Sequence, residues 1–170
     1  MEPLWYELMG RRLVERSRYH GNYPYMTRRL KFNTFKFEEI ETVMQIIRDN
    51  LVPEMLSPKY REENKNNSMY GHCYHSTQAL FYLVDGEFEK MSATDYRGDK
   101  HWWLQSGDKI YDVTAEQYYS VGQNPPYENG KKSKWYGWKE RPHAKSMNLI
   151  VECLGDKPYT DDIDIDSRAL

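Results

Sequence analysis

The sequence is most informative first in what it lacks. Only two cysteines occur in 170 residues, Cys73 and Cys153, too few for a disulfide-stapled scaffold and suited to a reducing compartment. No apolar run approaches the roughly 18 residues of a membrane span. The first twenty residues lack the basic region, apolar stretch and small-residue cleavage site of a signal peptide, so a soluble cytoplasmic protein is expected. There is no internal repeat and no low-complexity segment beyond the acidic DDIDID near the end. Nor is there an excess of either charge: the formal net charge is -2, which excludes a uniformly basic nucleic-acid binder.

What is present fits a single domain of three parts: a basic aromatic arm over 1–36, a core over 37–120, and an aromatic loop, last element and acidic tail over 121–170. Between Arg11 and Lys36 the arm places eight Lys or Arg against one acid, Glu15, and interleaves them with Tyr19, Tyr23, Tyr25, Phe32 and Phe35. Such a mixture can hold phosphates and stack bases, so a nucleotide or nucleic acid is a candidate partner. It can equally be a solvated arm whose long basic side chains cover its own aromatics.

After Thr34, a candidate N-cap, Phe37, Ile40, Val43, Ile47 and Leu51 recur at helical spacing, with Glu38, Glu39 and Glu41 near the positive end of the helix dipole. Asn50 and Pro53 stop this helix. Pro53, Pro58 and REENKNNS (61–68) read as a long surface loop with room for a helical turn. CYHSTQALFYLV reads as a helix of about three turns beginning at Cys73 and closed at Asp85-Gly86. FEKMSATDY, HWWLQ and KIYDVT follow as short strands, giving an α+β order. AEQYYSV adds a helical turn, residues 123–142 form a long Pro/Gly/aromatic loop, and HAKSMNLIVECLG is a helix or a strand. In that loop Trp135, Tyr136 and Trp138 lie among lysines, as a binding flap or as a folded cover.

The two thiols differ in context. Cys153 lies in the apolar run LIVECL and needs only packing to explain it. Cys73 opens a helix, where unpaired N–H groups and the dipole favour a thiolate. With Ser106 and Gly107 as turn residues, His101 falls directly opposite Asp112 and Trp103 opposite Ile110. Opposed Cβ atoms lie about 4.5 to 5.5 Å apart, so the carboxylate can fix the imidazole tautomer while Trp103 limits water. A nucleophile, a base and an orienting acid in this order suit thiol-based acyl transfer. The Cys73 N–H is one expected oxyanion donor and Asn67 the other, with Asn66, Ser68 and Tyr70 as alternatives. Thr114, Glu116 and Gln117 read as caps of the following turn.

The block Gly71-His72-Cys73-Tyr74 resembles the nucleophile motif of papain-like and transglutaminase-like cysteine enzymes. His101-Trp102 and Tyr111-Asp112-Val113-Thr114 resemble the transglutaminase-like branch more closely, because papain-type peptidases use Asn in the third place. The pattern GHCYHSTQALFYL, HWWL, IYDVTAEQY is also similar to small phage and bacterial proteins of this type. The resemblance implies a nucleophile-bearing helix on a small antiparallel sheet, a Cys73-His101-Asp112 triad, Tyr74 and Trp103 near a peptide or protein substrate, and no cofactor. It covers residues 66–120, and the short interval from Cys73 to His101 leaves room only for a helix with three or four strands. For a phage-encoded enzyme the site of action is the host cytoplasm. The competing expectations are a catalytically inactive binding module using the arm, and a metal site made from His72, Cys73 and His75 with His101 or His143. No C-x-x-C or H-E-x-x-H spacing supports the metal.

Overall fold

A computed structural model describes residues 35–136 and 142–155. The basic arm up to Thr34, Trp138 and the acidic tail lie outside the described residues, so the proposed N-cap and the nucleic-acid reading of the arm fall there too. Helices precede, interrupt and follow a small antiparallel sheet, an arrangement compatible with an α+β reading.

Helix α1 (Ile40–Asp49) follows a 3-10 turn at Phe37–Glu39 and buries Ile40, Val43, Met44 and Ile47, the stripe its periodicity predicts. The Lys36 backbone N–H donates to the Glu39 carboxylate at 2.8 Å, and Asn50 closes the other end through a 2.8 Å bond from its side-chain amide to the Ile46 carbonyl. The segment expected as a loop instead contains a two-turn helix, α2 (Pro58–Asn64). Pro58 stands in its first turn, where the missing N–H costs nothing, and this offsets the polar composition that suggested a loop.

The Asn64 side chain then donates to the carbonyls of Ser68 (3.0 Å) and Tyr70 (2.9 Å), tying the connection that delivers the chain to α3 (Cys73–Leu83). Gly71 in this connection has φ +87, and a Cβ there would approach Leu56 Cδ2 to 2.9 Å. Only glycine fits both conditions. In α3, Ser76 to Leu83 are all buried, so this helix is central to the domain.

The sheet has the order β3-β2-β1-β4, from β1 (Glu89–Thr94), β2 (Lys100–Ser106), β3 (Lys109–Tyr111) and β4 (Lys131–Lys132). Residues 123–142 are therefore not a plain loop: they carry β4 and a 3-10 turn at Tyr127–Asn129. Trp102, Leu104 and Tyr111 face the helices and join Leu80, Ile150 and Ile47 in one apolar core. His101 and Trp103 point to the opposite side of β2 by strand alternation, where α4 (Glu116–Tyr119) and the 127–129 turn supply Tyr118 and Tyr127 as partners. The ambiguous C-terminal segment is a helix, α5 (Ala144–Leu154), with His143 as N-cap accepting from the Lys145 N–H. Trp135 is buried in the core whereas Tyr136 is exposed, so neither reading of the aromatic loop describes both.

The β2–β3 register differs from the expected one. Ser106 pairs with Lys109, Gln105 with Ile110 and Leu104 with Tyr111, so the turn residues are Gly107 and Asp108. Gly107 takes φ +59 at the first turn position, a conformation that glycine adopts freely and Ser106 would not. Trp103 is therefore not opposite Ile110, which is partly exposed. The displacement is two residues, an even number, so every side chain keeps its face. His101 and Asp112 become diagonal neighbours and can still meet. Among the described residues no helix is long and apolar enough to cross a membrane.

Candidate active site

Cys73 is the first residue of α3, so its backbone N–H has no acceptor within the helix. Its thiol lies 3.6 Å from the carbonyl oxygen of Lys100, the residue before His101, which brings the helix tip to the start of β2. His101 is fully buried, and its Nε2–H donates to Asp112 Oδ2 at 2.6 Å. Because a carboxylate only accepts, this bond fixes the tautomer and makes Nδ1 the nitrogen available for proton exchange. Nδ1 has no hydrogen-bond partner among the described residues. Burial alone would disfavour the imidazolium, yet the Asp112 charge, its hydrogen bond and the nearby Cys73 sulfur outweigh burial and raise the His101 pKa well above its ordinary value.

Asp112 has a complete set of partners. Oδ1 accepts the Thr114 N–H at 3.1 Å, and Oδ2 accepts the Tyr127 hydroxyl at 2.8 Å beside the imidazole. The His101 ring is stacked on Trp103 (centroids 5.8 Å apart) and met edge-on by Tyr118 at 4.7 Å. Tyr118 donates its own hydroxyl to Asp95 Oδ2 at 2.7 Å.

Cys73 opens into a cavity of about 310 Å³ whose walls include Tyr74, Trp102, Tyr136, Gln117 and Tyr118. Of the substrate-contact candidates, Tyr74 lines it, its ring stacked on Tyr136 and its hydroxyl accepting the Tyr136 N–H at 2.9 Å. Trp103 does not; it is fully buried against His101 and acts as the apolar flank. Asn67 does not line the cavity either. Its side-chain amide donates to the Gln117 carbonyl at 2.8 Å, so it positions Gln117, which lines the cavity, as does Tyr70 among the alternatives to Asn67. The expected capping by Thr114, Glu116 and Gln117 is not found: the N-cap of α4 is Ala115 with no side-chain cap bond, and the 2.8 Å bond from the Gln117 amide to the Thr114 hydroxyl joins two side chains, with Gln117 in the cavity wall. Tyr118 and Tyr127 carried no sequence signal, because their relation to His101 and Asp112 exists only once the 115–130 segment folds back over β2.

Among the described residues no three His, Cys, Asp or Glu side chains are grouped to hold a metal. His72 is buried and desolvation lowers its pKa to about 4. His75 shares a hydrogen bond with Ser146 (Nδ1 to Oγ, 3.0 Å); burial first, then His143, Lys145 and His72, lowers its pKa to about 3. Cys153 is buried in α5 and desolvation pushes its thiol up to about 12, as an inert packing residue requires.

In comparisons with known proteins, the chain matches no family, no curated protein and no solved structure.

Proposed function

We propose that this chain is a cysteine-dependent acyl-transfer enzyme acting on amide bonds of a peptide or protein, with Cys73 as nucleophile, His101 as acid and base, and Asp112 as orienter. The observation that carries the reading is the 2.6 Å bond from His101 Nε2 to Asp112, which leaves Nδ1 without a partner in a ring close to Cys73, the thiol at a helix tip beside a cavity. A papain-like or transglutaminase-like ancestry belongs to the same proposal, supported by the order of Cys, His and Asp along a helix and two strands.

In the reaction the Cys73 thiolate attacks the amide carbon. A C–S bond forms and the carbonyl π pair moves to oxygen, where the Cys73 N–H is one candidate donor and Gln117, in the cavity wall, another. Collapse of the tetrahedral species breaks the C–N bond, and His101 gives its Nδ1 proton to the departing amine. Water, or a second amine, then attacks the thioester while His101 Nδ1 takes its proton. The C–S bond breaks and the thiolate is restored. Hydrolysis, deamidation and amine transfer share the first half of this sequence.

Iodoacetamide alkylation of the two cysteines, resolved by peptide mass spectrometry, tests the reading. Cys73 is expected to react at neutral pH at least ~100-fold faster than Cys153, and His101→Ala and Asp112→Asn to remove most of that advantage. Equal rates for the two thiols in the native protein would overturn it.

A further inference from the structure

We propose that Tyr127 is a positioning residue that sets the acidity of His101 by sharing the acceptor oxygen of Asp112. Two donors converge on Oδ2, the His101 Nε2–H at 2.6 Å and the Tyr127 O–H at 2.8 Å, while Oδ1 is occupied by the Thr114 N–H. Tyr127 is itself fixed. Its ring meets Trp103 edge-on at 5.1 Å, and Trp103 stacks on His101, so His101, Asp112, Tyr127 and Trp103 form a closed circuit of side chains. The circuit is locked by Gly130, where the backbone passes so close to the indole that a Cβ would fall 2.6 Å from Trp103 Cζ2.

The physical consequence follows from what each group can donate. Burial and the Asp112 charge hold the Tyr127 hydroxyl far above the ordinary tyrosine range, so it remains a donor at every working pH. A second donor on Oδ2 draws charge from that oxygen and weakens its hold on the imidazolium. Among the described residues, the other groups facing His101 act differently. Asp112 and Cys73 raise its proton affinity, Trp103 is apolar flank, and the Tyr118 hydroxyl is committed to Asp95. Tyr127 is thus the described group placed to offset the pull of Asp112. An imidazolium held too tightly cannot return its proton to a leaving amine, and this is where the device matters for catalysis.

The consequence for turnover rests on the acyl-transfer reading, but the coupling is measured on the resting protein. Histidine-selective ¹⁵N labelling gives the His101 titration midpoint and its Nε2–H resonance. Tyr127→Phe, which keeps the ring and removes the hydroxyl, is expected to raise the midpoint by roughly 0.5 to 1 pH unit and move the resonance downfield. Tyr127→Ala admits water to Oδ2 as a replacement donor, so its midpoint is expected to return toward that of the native protein. A packing role alone predicts the reverse order, with Phe silent and Ala the larger change, and that result overturns the proposal, as does a fall in the midpoint with Phe. A rise with Phe in a protein whose Cys73 alkylates no faster than Cys153 leaves the coupling standing and removes only the acyl-transfer reading.

Discussion

Strand β2 separates two regions built on opposite principles. Trp102 and Leu104 face helix α3 and belong to a cluster of aliphatic and aromatic side chains, where burial of apolar area stabilises the domain. One residue away on either side, His101 and Trp103 belong to a polar, hydrogen-bonded circuit under tyrosines. In the apolar region a partner can be exchanged for another of similar volume. In the polar one the His101 and Tyr127 donors share one carboxylate oxygen, so it tolerates little change. The same division separates the thiols, with Cys153 inside the helical core and Cys73 at its edge.

This contrast can be broken at several points, taken here from the largest effect to the smallest. Cys73→Ala should abolish acyl transfer, a loss of about 10³-fold or more, while urea unfolding shows stability changed by less than about 1 kcal/mol. If the Cys73→Ala protein keeps its activity, the polar region is not an active site. Leu80→Ala, on the apolar side, should cost about 2 to 5 kcal/mol in the same unfolding measurement yet leave the alkylation rate of Cys73 in the folded fraction within about twofold.

Gly130→Ala reaches the polar region through packing rather than chemistry. Displacing Trp103 should cost about 1 to 3 kcal/mol and lower Cys73 reactivity along with it. Acid should weaken the domain between pH 7 and 5. His72 and His75 have folded pKa values depressed below the ordinary 6.5, so the unfolded chain binds more protons as pH falls through that value. Each contributes a loss on the order of 1 to 2 kcal/mol by pH 5, seen as a falling urea midpoint. His101 acts in the opposite direction at the upper end of that window: its pKa is raised, so the folded state is already protonated at pH 7 while the unfolded imidazole takes up its proton only as pH falls through 6.5, and the stabilisation it gives is complete below that value and lost as pH rises. His75→Asn should flatten the dependence by about one proton. Cys153→Ala should have the smallest consequence, about 1 kcal/mol or slightly more from the space it leaves, with Cys73 alkylation unaffected.

Much of the scaffold was legible in the chain. Helices α1 and α3 could be placed because apolar periodicity and end signals are local, and β1 and β2 because alternation is local as well. The β2–β3 register was read two residues away, since the decision between Ser106-Gly107 and Gly107-Asp108 rests on one backbone conformation that composition does not encode. His101 and Asp112 nevertheless meet, because an even displacement preserves side-chain faces. Asn67, a predicted oxyanion donor, instead fastens Gln117, and no local pattern marks Tyr127.

The sequence by itself determined the order of helix and strands, the placement of Cys73 at a helix start, and the sharing of one sheet face by His101 and Asp112. All of these follow from periods and spacings of a few residues. Only the tertiary structure decided that the segment over 115–130 folds back across β2. That return brings Tyr118 against the ring of His101 and Tyr127 onto the carboxylate of Asp112. Which donor reaches which oxygen is a matter of ångströms between residues far apart in the chain, and such distances are set when the core closes, not by any local pattern.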